Sequence, residues 1–318
     1  MDITVVLCTY NRCDCLAAAL ESVAVSRLPA SVSWKVLVVD NNSKDKTREV
    51  VESFVLRYPG RFHYAFEAQP GKSHALNFAI RNSTSAVLAF MDDDVQVEPD
   101  WLYNLTRSLD NPSYCGSGGR ILPERGFIPP RWLASSEQYS LAPLAMFDLG
   151  SEPGELKEPP FGTNMAFRRE VFARYGDFRR DLGPQPGSEI RSEDTEFGMR
   201  VLSGGEHLWY EPAAVVYHAV PRHRVTKSYF LKWWYGKGRG DVREFGCETE
   251  RHLSLFGVPL VVFRRVAMWT ARWVFSLSPA QRFNCRVKVW WLAGRIRESF
   301  ALSRTASQSH VSERQGAQ

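Results

Sequence analysis

A chain of 318 residues can hold one large or two small domains, and its 44% hydrophobic content is that of a globular protein. The net charge of +5 is uneven: nine Lys or Arg between Arg251 and Phe300 face the single acid Glu298, giving +8, while residues 1–250 carry −4. Six cysteines at this length exclude a disulfide scaffold, and the absence of about 18 uninterrupted apolar residues argues against a bilayer-spanning segment.

The first predicted strand is Ile3 to Thr9, and Tyr10-Asn11-Arg12 is the turn leaving it. Met1-Asp2 leads straight into this strand without a basic region, so no signal peptide is expected. Cys13 and Cys15 lack a second pair or a nearby His, which argues against zinc and for a reduced, cytoplasmic compartment. Helical spacing of Leu16, Ala19, Leu20 and Val23 predicts a helix over 14–25. Trp34 to Asp40 reads as a second strand ending in a carboxylate, Thr47 onward as a helix closed by Pro59-Gly60, and Phe62 to Glu67 as a third strand. Gly71 to Asn77 opens a short helix.

Val87 to Met91 is a continuous apolar run that ends in Asp92, Asp93 and Asp94. Such a run reads as a strand buried on both faces of a parallel sheet. Three carboxylates are too costly in a core, so they belong where the strand leaves the sheet, at the edge where open α/β sheets bind ligands. Strands separated by helices make βαβ units and a mainly parallel sheet, which lines up Thr9, Asp40, Glu67 and Asp92 to Asp94 along one carboxyl edge. Hard oxygen ligands there suit Mg²⁺ or Mn²⁺. A solvated acidic turn is the plainer reading of the same three residues.

Further on, Gly116 to Ile121 looks like a closely packed strand, and 123–160 is a loop region rich in Pro, Gly and aromatics. Ser192-Glu193-Asp194 opens a helix, for which a simple N-cap and acidic first turn is the structural explanation. Glu211 to His218 is a late strand ending in His218, followed by the basic loop Arg222 to Lys227 and an aromatic helix bearing Trp233 and Trp234. The segment 258–277 is apolar with Arg264, Arg265 and Arg272 on one arc and Phe263, Val266, Trp269 and Trp273 on the remaining surface. A second basic helix over about 281–300 follows Pro279. This is the profile of interfacial helices on an anionic membrane, with helices packed on the preceding α/β domain as the competing account. From Ser303 the composition favours disorder.

Six motifs, in this order, resemble a family 2 glycosyltransferase: Thr9-Tyr10-Asn11-Arg12, Val38 to Ser43, Gly71 to Asn77, Asp92-Asp93-Asp94, Phe161 to Arg169, and Ser192-Glu193-Asp194. The resemblance covers roughly residues 3–240. It implies a GT-A fold of the α/β class, with 1–115 as the nucleotide-sugar half and 116–240 as the acceptor half, then basic helices over 241–302 and a tail over 303–318. It implies inversion, a divalent Mn²⁺ or Mg²⁺, and a UDP-, GDP- or dTDP-sugar donor. Donor contacts would come from Thr9, Asn11, Arg12, Asp40, Lys72, Asn77, Asp92 and Asp93. Asp94, Asp92 and His218 would hold the metal. Asp194 would be the base, with Glu193 as the alternative. Gly162 and Asn164 would meet the acceptor, while Trp233 and Trp234 either line its channel or pack in the core. Arg222 and Arg224 would fold over the diphosphate. The family's processive members carry a Q-x-x-R-W motif, which this chain lacks.

The chemistry asks for the same groups. A departing nucleoside diphosphate develops negative charge, which a carboxylate-held metal neutralises, and the attacking hydroxyl needs a positioned base. The implied partners are a saccharide or lipid-linked saccharide acceptor and the anionic inner face of the plasma membrane, with no nucleic acid. Two other classes remain open from sequence: a nucleotidyltransferase, which needs a Gly-rich phosphate loop after the first strand, and a non-catalytic nucleotide-sugar-binding protein at the membrane.

Overall fold

The β-branched run at the N-terminus forms β1 (Asp2–Thr9), whose Ile3, Val5, Val6 and Leu7 are buried. A strand covered by helices on both faces must be apolar on both. The computed structural model describes residues 1–134, 138–188, 190–246 and 253–315. After β1 come α1 (Cys13–Ala24), β2 (Ser33–Asp40), α2 (Thr47–Arg57), β3 (Phe62–Phe66), α3 (Lys72–Asn82) and β4 (Val87–Asp92). The strands lie in the order β3-β2-β1-β4 and all pair parallel. Register sets Thr9 opposite Asp40 and Cys8 opposite Asp92, so the expected carboxyl edge forms.

Beyond β4 the pattern changes. The next elements are β5 (Val95–Val97), α4 (Trp101–Arg107), β6 (Tyr114–Pro123), α5 (Arg131–Ala134), β7 (Gly154–Glu155), β8 (Asn164–Arg168), α6 (Arg169–Tyr175), α7 (Glu193–Ser203) and β9 (His207–His218). β8 runs antiparallel to both β4 and β6, β6 pairs parallel with β9, and β5 closes antiparallel on β9. Two of these registers build the site. Met91 pairs with Asn164, which brings the preceding Thr163 beside Asp92, and Val95 pairs with His218, which brings the imidazole to the aspartate turn.

An aromatic cluster fixes α7 to the sheet. Phe197 stacks on Phe172 of α6 at 4.8 Å between centroids and meets Phe167 of β8 edge-on at 5.1 Å. Offset and edge-to-face pairs of this kind contribute roughly 0.5–1.5 kcal/mol beyond their area. Glu193, Phe197 and Val201 all lie on the buried face of α7, as their spacing of four requires.

The chain divides into two compact units, one of Met1–Ile128, Leu144–Gly187 and Glu193–Val220, the other of Pro129–Pro143, Ser188–Ser192 and Pro221–Gln318. The division thus falls at Val220, before the boundary at 240 that the motifs had indicated. The reason is α8 (Lys227–Phe245), which packs with the later helices. The second unit continues with the hairpin β10 (Ser254–Leu255) and β11 (Val258–Pro259), then α9 (Leu260–Phe275) and α10 (Pro279–Gln315). α8 and α10 cross closely, with Gly238 against the Trp291 carbonyl and Gly294 against the Tyr235 carbonyl. Glu298 of α10 is 1% exposed and accepts from Arg239 at 2.7 Å and from Arg243 at 2.6 Å.

α9 buries part of its apolar surface: Val266 and Trp269 pack with Val262 and Leu292 against α10, and Trp273 meets Trp290 of α10 edge-on. Phe263 does face solvent, with Leu260, Val274 and Phe275. The tail also differs: α10 continues to Gln315, since no Gly or Pro interrupts residues 295–315, and only 316–318 of the expected disordered stretch lie outside the described residues. No helix among the described residues is long and apolar enough to cross a membrane.

Candidate active site

The edge of the first unit gathers its charges around Lys72, the first residue of α3. Gly71, immediately before it, has φ +131°, a conformation open only to glycine, and its N–H donates to the buried Asn41 side chain at 2.7 Å. That anchor aims Lys72 into the site. Its Nζ lies 2.7 Å from Asp92 Oδ1 and 3.6 Å from Glu193 Oε1. Burial opposes the ammonium's charge, but Asp92, Glu193 and Asp194 outweigh it and hold Lys72 more firmly protonated than a free lysine. Burial likewise opposes ionisation of Asp92, yet Lys72 and the Thr163 hydroxyl, which donates to Oδ2 at 2.7 Å, hold its pKa at about 2.

Asp94 points the other way. Its Oδ2 accepts from Arg12 at 3.1 Å, and its Oδ1 lies 3.4 Å from His218 Nε2. Between the two sits Asp93, which burial, and then the neighbouring Asp94 carboxylate, push up to about 7 against the pull of Arg12. A buried carboxylate oxygen and an imidazole nitrogen aimed at each other form a donor pair that fits Mn²⁺. Asp92, the other expected ligand, accepts from Lys72 with one oxygen and from Thr163 with the other. Among the described residues no three His, Cys, Asp or Glu side chains form a ready metal cage. A cation here would therefore draw most of its ligands from a phosphate group and water, the pattern of hard cations at diphosphates.

Glu193 and Asp194, adjacent in sequence, are set apart by the helix. Glu193 continues the apolar face of α7 and is 3% exposed. Burial raises its pKa, Lys72 opposes this, and the Asp194 charge adds to the rise. Asp194 lies off that face and is half-buried. Its Oδ2 accepts the Gly162 N–H at 2.6 Å and its Oδ1 the Thr195 N–H at 2.7 Å. A Cβ on residue 162 would lie 3.1 Å from that Oδ2, so the glycine is what allows the backbone this close. Two backbone donors fix the direction of this carboxylate.

The remaining expected residues divide. Thr9 is buried beside Asp40, whose Oδ1 accepts the Ser43 N–H at 2.9 Å and whose Oδ2 accepts the Tyr64 hydroxyl at 3.0 Å. Asn11, at φ +49°, accepts the Lys44 N–H at 2.7 Å and ties the first turn to the second. Asn77 and Asn164 are corrections. The Asn77 amide donates to Phe178 O at 2.8 Å and accepts Phe178 N–H at 2.9 Å, so it holds a buried loop. Asn164 is fully buried; it accepts from the Trp101 indole at 2.8 Å and donates to the carbonyls of Arg120 and Ala214. With no exposed surface, that amide serves the interior of the fold. Arg222 and Arg224 form a short turn in the second unit, where Trp233 and Trp234 of α8 pack edge-on at 5.1 Å. Sequence reasoning missed Thr163, Tyr64 and Asn41; Thr163 was readable only from the antiparallel entry of β8.

Comparison with known proteins identifies the family. Residues 4–176 match the model of glycosyl transferase family 2. The succinoglycan biosynthesis protein ExoM of Rhizobium meliloti is 30% identical over 243 residues, covering 75% of this chain and 74% of ExoM. The glucosyl-dolichyl phosphate glucuronosyltransferase of Haloferax volcanii is 25% identical over 248 residues, covering 74% of this chain and 75% of that protein. In fold, the mannosyltransferase PcManGT from Pyrobaculum calidifontis, solved with GDP-Man and Mn²⁺, superposes with a TM-score of 0.64 at 20% identity, over 93% of this chain and 86% of that one. A mixed sheet with its charged groups at the carboxyl edge, a matching family model and relatives of this similarity lead to one conclusion: the chain is a glycosyltransferase enzyme of the GT-A fold and belongs to glycosyl transferase family 2.

Proposed function

We propose that the enzyme moves a sugar, with inversion, from a nucleotide-sugar to a saccharide or lipid-linked saccharide in cell-surface polysaccharide synthesis. The observation that carries this reading is the split of the edge into two groups. One is the Asp94–His218 pair beside Arg12; the other is Asp194, oriented by the Gly162 and Thr195 N–H groups. An inverting displacement needs charge stabilisation on the leaving side and one base on the attacking side, with no second nucleophile. Asp94 and His218 would hold the Mn²⁺ or Mg²⁺, which when bound neutralises charge on the diphosphate.

Thr9, Asp40 and the Asn11 turn would receive the nucleoside, and the Asp40 and Asn11 side chains are already held by hydrogen bonds. Arg12 supplies a cation at the same edge. Lys72 holds Asp92 as an anion and neutralises Glu193, so the field around the reacting sugar is set before it binds. Asp194 takes the acceptor's proton. ExoM's name places that relative in succinoglycan biosynthesis and the Haloferax enzyme acts on a glucosyl-dolichyl phosphate, which supports a saccharide or lipid-linked acceptor here. The exposed Leu260, Phe263, Val274 and Phe275 of α9, with Arg264, Arg265 and Arg272, would bring the second unit to an anionic inner membrane surface.

A thermal-shift titration tests the donor side. UDP, GDP and dTDP are compared with and without Mn²⁺; the cognate one, at a hundredfold its Kd, stabilises by about 2.7 kcal/mol. Asp94→Ala loses the Mn²⁺-dependent part of that shift while melting normally without ligand. An unaltered shift in the variant removes Asp94 from the metal site.

A further inference from the structure

The residue just before the Glu193–Asp194 pair sits in an unusual setting. Ser192 has φ +90°, a left-handed backbone that a non-glycine residue keeps only where its surroundings hold it. Its side chain is 5% exposed, and its hydroxyl accepts a hydrogen bond from Lys237 Nζ of α8 at 3.0 Å. Lys237 is itself fixed. Its Nζ donates to Asp241 Oδ1, one turn further along α8, at 2.6 Å, and lies 3.7 Å from Glu244 Oε2. Asp241 gives its other oxygen to the Trp291 indole of α10 at 2.6 Å. Gly240 brings the same helix against the same segment, since a Cβ there would lie 2.9 Å from the Arg191 carbonyl. Arg191 and Ser192 are thus gripped by an ammonium and by a bare stretch of helix.

We propose that Lys237 is a positioning residue for the catalytic pair: through Ser192 it holds the left-handed kink from which α7 starts, and so sets the direction of Glu193 and Asp194. The link runs through one peptide bond. A left-handed residue costs on the order of 1–3 kcal/mol, and a charge-assisted hydrogen bond to its own side chain is what offsets that cost here. Without it the backbone at residue 192 relaxes toward negative φ, and the first turn of α7 turns with it. A base displaced by an ångström loses roughly a hundredfold in rate at the extreme.

This inference rests on Asp194 as the base, so its test includes a readout that does not. Lys237→Met keeps the aliphatic stem and removes the donor, whereas Ser192→Ala removes the acceptor. In either variant of the full chain, hydrogen exchange of the α7 first-turn amides, Asp194 to Phe197, should quicken at least tenfold. Nucleoside diphosphate release, from whichever UDP-, GDP- or dTDP-sugar matches the nucleotide that stabilises the protein, should show kcat falling about tenfold with the donor KM within twofold. The double variant should be no worse than the poorer single one, and Lys237→Arg should recover most of the rate. Unchanged exchange in a folded variant, or additive losses, overturn the proposal. If Lys237→Met does not fold, Ser192→Ala decides alone. If Asp194→Asn, assayed alongside, keeps its turnover, the base assignment falls, while the exchange readout still decides Lys237.

Discussion

At the scale of the residue, the site turns on one step of helix rotation. Glu193 falls in line with Phe197 and Val201 and is drawn into the core, while Asp194, about 100° further round, stays within reach of solvent and of the Gly162 N–H. Burial then makes Glu193 a poor anion that needs Lys72, whereas two backbone N–H groups orient the Asp194 carboxylate. Asp194→Asn, nearly isosteric but unable to take a proton, should lower kcat by a factor on the order of 10² or more and leave donor affinity intact. Calorimetric titration of the donor beside a turnover assay checks both halves; near-normal turnover would transfer the role to Glu193. The sequence displayed this pair and the aspartate triplet because charged residues at element ends stand out against apolar runs. It could not display Asn77 and Asn164 correctly. Their motifs drew the eye to ligands, but the amides satisfy backbone and indole groups that only the folded chain brings near.

Among the elements, α8 and α10 depend on one buried carboxylate. Glu298 stands between Arg239 and Arg243, and although burial alone would raise its pKa, the two guanidiniums lower it below the ordinary glutamate value. A folded pKa below the unfolded one adds stability that is fully present above the unfolded value, near 4.5, and is lost as pH falls through the folded pKa. Glu298→Gln should therefore destabilise the helical unit at pH 7 by roughly 2 kcal/mol, the scale of a lost charged hydrogen bond. The gap between wild type and variant should close as the pH drops below that window. Denaturant melts across pH 3 to 7 read this directly, and a gap independent of pH would reassign the loss to packing. The βαβ half of the sheet was legible, since strands and helices alternate there with clear periodicity. The direction of β8 was not, because antiparallel entry beside β4 follows from pairing across the fold rather than from any local pattern.

For the molecule as a whole, charge and apolar exposure coincide in the second unit. Eight of the nine basic residues of that +8 stretch lie on α9 and α10, and α9 exposes Leu260, Phe263, Val274 and Phe275, with Leu253, Leu255 and Phe256 just ahead. Each basic residue near an anionic surface contributes about 1 kcal/mol. Reversing Arg264, Arg265 and Arg272 to Glu should weaken cosedimentation with phosphatidylserine vesicles, and wild-type binding should fall as salt rises. Equal sedimentation of the two proteins at low salt would discard the membrane face. In folding, the pairing of Val95 with His218 sets an order of events. The first four strands are consecutive βαβ units with local contacts, whereas β9 must return from the far end of its unit to reach β5, and distant closures come later than near ones. A growing or refolding chain therefore holds Thr9, Asp40 and Asp92 in line before His218 arrives at Asp94, so the two ends of the edge mature at different times.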